Sequence, residues 1–529
     1  MGLKRPYGRR VPFFGNEFNG HSIRSIGAAV FVYAPVALTL ATGLLLSLAG
    51  CNSDGRQTVV PRLSAVPLGT VPWGAWEDKA EANDKPILLY LYNRRSFWCH
   101  ALASRVLSDP QVVREIRRVT HPVAVDATER PDLFERYGLG TWPSLAVINP
   151  HRGWITGTQY IDSDDLGRLM RRVHLLYDIP DRMEDIERSR NRLVARSRPT
   201  PLPLDVVDEG VLRTFMDSVR SQIANATSPS AEILLFLERL GALDTPEIDQ
   251  VYDERQVNEQ GLFSVGLVTE DGVLKDEEMT LTHNAALLMT AAVLASRSGD
   301  DAWRHRAQGL LDAVERVLGV EDETGPYFAA GLAGFVTPDS VFAPSLYGEG
   351  SRPVDARWIP RWNAQAVSAT VHAMEIGLNA STDRWSWVTE RLVAGYDERG
   401  APVDRAETLA DAALIARALL DVDRLDSGRG LQGIAERILN RAWATFVAPD
   451  GEGDRIRAGE DQSSLDRHEP GAIGVLAECL IRLAEETDNP VYASRAGQLL
   501  AVWVPRSLND SAHAGSLAGA LRLFVGEER

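Results

Sequence analysis

The sequence predicts a multidomain protein in which an α/β domain is followed by a longer all-α domain. An apolar run, Pro86 to Tyr92, has the length of a buried strand and precedes an apolar-periodic helical segment. Two later runs, Val123 to Asp126 and Leu145 to Ile148, indicate two more strands. From Val211 onward, apolar residues recur at three- and four-residue spacing, which is typical of packed helices.

Length and composition set the limits of this prediction. A chain of 529 residues with 44% hydrophobic content is too long for one compact core, so two or three domains are expected. The formal net charge of −17 argues against nucleic acid as a partner. We predict a signal peptide or membrane segment at 1–50, a tether at 51–72, the α/β domain at 73–178, a helical linker at 179–210 and the all-α domain at 211–529.

The amino terminus has the pattern of an export signal, with basic residues followed by an apolar run from Ile26 to Ala49. The sequence Leu48 to Cys51 resembles the lipobox of bacterial lipoproteins, which implies acylation of Cys51. The alternative is an uncleaved membrane-spanning helix, since about 20 apolar residues suffice to cross a bilayer. Both alternatives place the chain in the cell envelope, anchored to a membrane and facing the periplasm or exterior. Asn52 stands where inner-membrane lipoproteins usually carry Asp, which favours the outer membrane.

A thiol lies at the predicted start of the first helix, within the sequence SFWCH from Ser96 to His100. The positive end of a helix stabilises a thiolate, so Cys99 is a candidate for monothiol catalysis together with Ser96. Trp98 is a candidate binding residue beside the thiol. The Trp142-Pro143 bond is a candidate cis peptide, and its loop is a candidate client-binding edge.

The order strand, thiol, helix, strand, X-Pro, strand is that of a thioredoxin-like fold. The segments Asp84 to Ile87, Trp98 to His100, Val125 to Asp132 and Gly138 to Pro143 together resemble the spermatogenesis-associated protein 20-like thioredoxin-domain family. Members of that family usually carry C-H-W-C-H, whereas here Ser96 replaces the first Cys. A dithiol cycle needs two thiols, so dithiol oxidoreductase activity is not expected from Cys99 alone.

A helical hairpin unit repeats in the all-α domain, over Asn284 to Leu318, Trp362 to Ala394 and Pro470 to Val504. Such repeats form either an open solenoid or a closed α/α toroid. The family resemblance implies the toroid, of the six-hairpin type found in glycosidases and sugar 2-epimerases.

In such toroids the inner helices begin at one mouth, where ligands bind. By this resemblance the candidate binding residues are Glu278, His283, Asn284, Trp358, Trp362, Asn363 and Asp411, the last with Glu407. The family's H-F-E-K-M-L-Y-D-N-A motif corresponds here to Asp276 to Ala285, which retains Glu and Asn but not the His, Lys, Tyr or Asp. The alternative is structural, with Asn capping helices and Trp filling the barrel.

Three functions remain open from the sequence. The first is a binding or accessory protein linked to thiol redox chemistry or protein handling. The second is a monothiol redox enzyme acting on an exported protein client, and the third is carbohydrate binding or isomerisation in the toroid. No cofactor or metal site is predicted, because the chain contains no CxxC or HExxH motif.

Overall fold

The computed structural model describes residues 85–139, 141–150, 153–177, 202–203, 206–223, 260–264, 278–333, 353–403, 408–447 and 469–526. The predicted export signal, Cys51 and the tether lie outside these residues, as do most of the linker and Glu407. Among the helices that are described, none is both long enough and apolar enough to cross a membrane.

The α/β domain contains a four-stranded sheet flanked by helices. Its strands are β1 (Ile87–Tyr92), β2 (His121–Asp126), β3 (Ser144–Ile148) and β4 (Trp154–Thr158), and its helices are α1 (Phe97–Arg105), α2 (Pro110–Val119), α3 (Pro131–Tyr137) and α4 (Ser163–Tyr177). The strand order is β2-β1-β3-β4, with β1 parallel to β2 and antiparallel to β3. This arrangement confirms the thioredoxin-like fold, and β4 is a strand that the sequence analysis missed.

Helices on both faces of the sheet explain why β1 is a continuous apolar run. Leu88 and Tyr90 face a core formed with α2 and α4. Ile87, Leu89 and Leu91 face a second core formed with α3. A central strand that is covered on both sides has no solvent-facing positions, so the alternation of polar and apolar residues disappears.

The all-α domain is built from helical hairpins around one large core. Its helices are α5 (Glu209–Ile223), α6 (Leu281–Ser298), α7 (Asp301–Ala313), α8 (Pro360–Glu375), α9 (Thr382–Ala394), α10 (Leu409–Leu425), α11 (Leu431–Ala442), α12 (Ala472–Thr487), α13 (Pro490–Ser507) and α14 (Gly515–Val525). Helices α6, α8, α10, α12 and α14 pack side by side in that order, and the alternate helices pack outside them. This is the inner and outer ring of an α/α toroid, as predicted.

The hairpin turns explain the sequence repeat. Between α6 and α7, Gly299 has a φ of 65°, and the Asp300 side chain then accepts a hydrogen bond from the Ala302 N–H at 2.8 Å. Between α12 and α13, Asp488 has a φ of 52°, and Asn489 caps the next helix in the same way. A left-handed residue ends one helix and an Asx side chain begins the next, so short connections reverse the chain.

Short strands join the hairpins at the amino-terminal ends of the inner helices. They are β5 (Met279–Thr280), β6 (Gly319–Asp322), β7 (Gly325–Phe328), β8 (Gly331–Leu332) and β9 (Val354–Asp355). Strands β5, β8 and β9 form one antiparallel sheet, and β6 pairs with β7. These strands bring Glu278 and Asp355 to the same end of the toroid as the first turn of α8.

Two asparagines stabilise the amino-terminal end of the toroid through the same pair of side-chain to backbone hydrogen bonds. Asn363, in the first turn of α8, accepts a hydrogen bond from the Phe328 N–H at 2.9 Å and donates to the Phe328 carbonyl at 2.9 Å. Asn284 in α6 makes the equivalent pair with the backbone of Phe263, at 2.7 and 3.0 Å. Each buried amide satisfies both backbone groups of one residue in the preceding segment.

We expect Asn363→Ala to lower the free energy of unfolding by about 1–3 kcal/mol, because it leaves the buried N–H and C=O of Phe328 without their partner. The measurement is the urea midpoint and slope of both proteins. Asn509→Ala, at an exposed position of the same domain, is the matched control and should change stability by less than about 0.5 kcal/mol. Equal effects of the two changes would contradict this role of Asn363.

Candidate functional site

The turn between β1 and α1 is the centre of the candidate site. The Asn93 side-chain oxygen accepts a hydrogen bond from the Arg95 N–H at 3.0 Å, and the Asn93 carbonyl accepts one from the Ser96 N–H at 3.1 Å. These two bonds form a closed Asx turn. The chain then enters α1, so the thiol motif begins on a rigid turn rather than on an open loop.

Both positions of the thiol motif are buried. Cys99, in the first turn of α1, is 0% exposed and packs against Ala103, Tyr92 and Trp142. Its sulfur lies 3.4 Å from the Asn93 N–H, which donates to it. Ser96, which stands at the first thiol position of the related motif, is also 0% exposed. The described cysteines, Cys99 and Cys479, form no disulfide.

The aromatic candidates surround the motif within the α/β domain. Trp98 makes an edge contact with Tyr160, with ring centroids 5.1 Å apart. Trp142 lies on Phe134, with centroids 3.9 Å apart, and the Trp142-Pro143 bond is cis, which confirms that prediction. Trp142 is half-buried and Pro143 is buried. These side chains therefore support the motif, and Trp142 also covers the thiol.

Arg95 connects this turn to the toroid. Its Nε lies 3.1 Å from an oxygen of Glu278, and its Nη1 lies 2.8 Å from an oxygen of Asp355. The Asn93 amide also donates to both Glu278 oxygens, at 3.0 and 2.7 Å. Arg95 is 1% exposed, so its charge depends on these two carboxylates.

A second set of ion pairs continues the contact at the carboxyl end of β2. Asp126 is paired with Arg94 from its own domain at 3.2 Å and with Arg357 from the toroid at 2.7 Å. Arg357 also contacts Asp355 at 2.6 Å and Glu129 at 3.2 Å. Asp355 thus accepts hydrogen bonds from both Arg95 and Arg357, and this shared carboxylate joins the two sets of ion pairs into one network.

The first turn of α8 completes the contact. Arg361 donates to the carbonyl of Thr128 in the α/β domain and pairs with Glu469 at 2.7 Å. Trp362 donates its indole N–H to Glu469 at 2.6 Å. The guanidinium of Arg95 lies 4.9 Å from the centroid of the Trp362 ring, within the range of a cation–π contact.

The network shifts the pKa values of its carboxyl groups in opposite directions. Burial raises the pKa of Glu278, although the charge of Arg95 and the Asn93 amide oppose it. Burial alone would also raise the pKa of Asp355, but the hydrogen bond from Arg357 and the charge of Arg95 outweigh burial and lower it to about 2. Asp355 is therefore an anion throughout the neutral range and can balance two guanidinium groups.

The remaining toroid candidates lie elsewhere or have structural contacts. Trp358 packs on Tyr327, with centroids 5.8 Å apart, and under Arg391. Asp411 accepts a hydrogen bond from the Thr408 hydroxyl at 2.8 Å at the start of α10. Asn284 and Asn363 hold backbone segments, as described above. His283 lies half-buried in the first turn of α6, where its N–H donates to Thr280.

The sequence analysis missed most of the polar and charged residues that form the contact between the two domains. They are Asn93, Arg94, Arg95, Asp126, Asp355, Arg357, Arg361 and Glu469. One signal was present in the sequence, because two adjacent arginines, Arg94 and Arg95, lie in the short turn between the apolar strand and the thiol motif. Nothing local indicated their partners in the toroid.

Comparison with known proteins gives the family of the first domain. Residues 61–198 match the model of the Thioredox_DsbH family, described as a protein of unknown function, DUF255. An uncharacterized protein of Caenorhabditis elegans, B0495.5, is 30% identical over 108 residues, and human spermatogenesis-associated protein 20 is 29% identical over 120 residues. These matches cover 19% and 21% of this chain, and each covers 15% of the length of the relative.

Solved structures resemble each part of the chain. A structure named DsbH oxidoreductase matches 24% of this chain and 96% of its own, with 15% identity and a TM-score of 0.19. Cellobiose 2-epimerase from Spirochaeta thermophila matches 52% of this chain and 73% of its own, with 12% identity and a TM-score of 0.34.

The motif segments, the sheet topology and the sequence matches agree on a thioredoxin-like first domain that is similar to the Thioredox_DsbH family and to spermatogenesis-associated protein 20. An α/α toroid follows that domain.

Proposed function

We propose that this chain is an exported, membrane-anchored binding or accessory protein whose thioredoxin-like domain does not run a dithiol cycle. The observation that carries the proposal is that both motif positions, Ser96 and Cys99, are 0% exposed. Thiol–disulfide exchange requires a thiolate that can reach the disulfide sulfur, and Cys99 is covered by Tyr92 and Trp142. Ser96 cannot supply the attacking sulfur.

The contact with the toroid supports the same proposal. Glu278 and Trp362, which were candidates for a ligand site at the mouth, contact Asn93 and Arg95 of the thioredoxin-like domain instead. The turn that presents the active thiol in a redox domain is here an interdomain contact. The domain then acts as a cap on the toroid and leaves its other surfaces for partners.

We expect Cys99 to react with iodoacetamide at least about a hundredfold more slowly in the native chain than in urea, because reaction requires local opening. Cys51→Ser and Cys479→Ala in the same chain leave Cys99 as the only thiol, and intact mass reports the adduct.

The chain in which Cys99 is the only thiol should show no turnover in a disulfide-reductase assay. Turnover that disappears in Cys99→Ser would establish the monothiol enzyme instead.

We expect Arg95→Ala to lower the free energy of unfolding by about 3–5 kcal/mol, because it leaves two buried carboxylates without their shared cation. Urea unfolding followed by fluorescence and circular dichroism measures the loss. Arg118→Ala is the matched control, since Arg118 pairs with Glu115 on one exposed helix face and should contribute less than about 0.5 kcal/mol. A loss below about 1 kcal/mol for Arg95→Ala would show that the network does not hold the domains together.

Export and anchoring are part of the proposal and rest on the sequence from Ile26 to Cys51. Acyl transfer needs the thiol of Cys51, so we expect Cys51→Ser to abolish lipidation and to leave the folded domains unchanged. Fractionation with mass analysis of the amino-terminal peptide tests this. A mature protein that begins at Met1, or Cys51→Ser with unchanged processing, would replace the lipid anchor with an uncleaved membrane helix.

A further inference from the structure

The outer faces of α2 and α4 form a basic surface on the thioredoxin-like domain. The two helices contact each other on one face of the four-stranded sheet, and their buried residues share one core. Each helix turns three arginines away from that core, at spacings of three and four residues that place them on one helix face. We call these six exposed residues the basic surface: Arg114, Arg117, Arg118, Arg168, Arg171 and Arg172.

The basic surface carries an excess of positive charge in a chain whose formal net charge is −17. The two helices contain three acidic residues, Glu115, Asp164 and Asp165, against the six arginines. Arg118 pairs with Glu115 at 3.0 Å, and Arg168 pairs with Asp165. The other arginines for which ion pairs with described residues are absent are Arg114, Arg171 and Arg172.

An exposed apolar side chain lies beside the arginines of α4. Leu175 follows Arg171 by four positions and Arg172 by three, so the three residues share one helix face. Leu175 is 66% exposed, the largest value among the exposed large hydrophobic residues in the described part of the chain. A single exposed leucine is common on protein surfaces, so it supports an argument here only together with the arginines.

The carboxyl-terminal end of α2 lies at the edge of the domain where the chain enters the sheet. The helix ends at Val119, and β2 then begins at His121. His121 is paired with Ile87, the first residue of β1, and its N–H donates to the Pro86 carbonyl at 2.8 Å. We call this edge the entry edge of the sheet.

Helix α4 ends at the entry edge too. It follows β4, whose last residue, Thr158, is paired with Leu145, and Leu145 is paired with Tyr90 near the carboxyl end of β1. Because α4 packs along α2 and the sheet, its 15 residues, about 22 Å, return the chain across the length of β1. Arg171 and Arg172 therefore lie toward the entry edge, whereas the acidic first turn of α4 lies at the opposite edge.

The entry edge is the part of the domain that the proposed membrane anchor reaches first along the chain. Lys85 follows Cys51 by 34 positions, a span of at most about 120 Å even when fully extended. A domain held within this distance of a membrane meets its surface at a high effective concentration. Weak charge complementarity is then sufficient to orient the domain.

Helix stability alone does not explain the six arginines. Cations near the carboxyl-terminal end of a helix are favoured by its dipole, but this effect is confined to the last turn. Arg114 and Arg168 lie outside the last turns of their helices. A guanidinium group binds phosphate oxygens well, which makes an array of phosphates a suitable partner for this surface.

The net charge of the whole chain distinguishes between two kinds of phosphate array. It argues against nucleic acid, as stated above. A membrane is flat and meets one face of a protein, and charges farther away than about 8 Å are largely screened at physiological ionic strength. The local excess of arginine therefore decides the contact with a membrane, and Leu175 can enter the boundary between head groups and acyl chains.

We propose that the basic surface, together with Leu175, docks the thioredoxin-like domain on an anionic phospholipid surface. The proposal rests on the membrane anchoring that is part of the proposed function. The motif turn follows Tyr92 at the carboxyl end of β1, opposite the entry edge, and it contacts the toroid there. Docking thus makes the thioredoxin-like domain a spacer that holds the toroid away from the membrane.

The test compares the full chain reconstituted in vesicles of phosphatidylcholine alone and of phosphatidylcholine with about 30% phosphatidylglycerol. Flotation measures attachment, and modification of arginines by phenylglyoxal, mapped by mass spectrometry, measures docking. We expect the modification rates of Arg114, Arg171 and Arg172 to fall at least about fivefold in the anionic vesicles and to recover in about 0.5 M NaCl, because salt screens the contact. Arg213 and Arg399, which are exposed in the toroid, are internal controls and should not change.

A charge reversal tests the surface through a residue that is not mutated. Each basic residue near an anionic membrane strengthens binding roughly fivefold, so Arg171→Glu with Arg172→Glu should abolish the protection of Arg114. The matched control, Arg213→Glu with Arg399→Glu, makes the same change of charge in the toroid and should leave that protection unchanged. Circular dichroism and the urea midpoint verify that both variants fold.

A second variant leaves the charge of the surface unchanged. Leu175→Gln replaces an exposed side chain and should fold, and it should weaken the protection of Arg114 at least twofold by removing the apolar contact. Val491→Gln, at a position of the toroid that is 50% exposed, is the control and should have no effect.

The two vesicle compositions separate docking from anchoring. Flotation with both, but equal arginine modification in both, would overturn docking and leave the anchor in place. Flotation with the anionic vesicles alone would support docking and overturn the anchor, and flotation with neither would overturn both. Protection by poly-L-glutamate but not by anionic vesicles would also overturn the proposal, because it would assign the basic surface to an acidic protein.

Discussion

The structure depends on the burial of one charge, the guanidinium of Arg95. A cation that is 1% exposed is very unfavourable unless opposite charges and hydrogen bonds replace its water. Arg95 obtains these from Glu278 and Asp355, which both belong to the toroid. Among the described residues, its own domain adds only the Thr128 hydroxyl as an acceptor, 3.4 Å from Arg95 Nη2. The opposite charges come from the toroid, so the two domains stabilise each other at this point.

This constraint and the thiol motif are linked through the geometry of one turn. Asn93 donates its backbone N–H to the Cys99 sulfur and its side-chain amide to Glu278. A movement that took Asn93 away from the thiol would therefore also break its hydrogen bond to Glu278. A dithiol enzyme needs this turn to be open to its client, whereas here the turn is held against the toroid. The position of the first Cys, whose sulfur attacks the client disulfide in a dithiol enzyme, is occupied by Ser96. The absence of the first Cys and the closure of the turn therefore both argue against a dithiol cycle in this domain.

The sequence predicted those features that depend on local patterns. The strand at Pro86 to Tyr92 is continuously apolar, the hairpin turns carry their own capping residues, and the Trp142-Pro143 bond has the residue type that permits a cis isomer. The site depends instead on pairs such as Arg95 with Asp355, which lie 260 positions apart. No spacing rule connects such residues, because the fold alone brings them together.

The asparagines show where closer reading of the repeat would have helped. Asn284 and Asn363 occupy the same position of two inner helices, four residues after Thr280 and Ile359. A residue that recurs at one position of a structural repeat is expected to contact the neighbouring unit in the same way each time. Alignment of the hairpins with each other therefore predicts a shared structural role for both, where their similarity to a sugar-binding family had suggested ligand contacts.

The way in which the charges of the domain contact are satisfied bears on whether a ligand can act there. At the amino-terminal end, Arg95, Arg357 and Asp355 are matched within the protein, so a ligand there would have to replace existing bonds. A ligand gains free energy from a buried polar group only where the protein has not already paired it. The domain contact does not meet that condition.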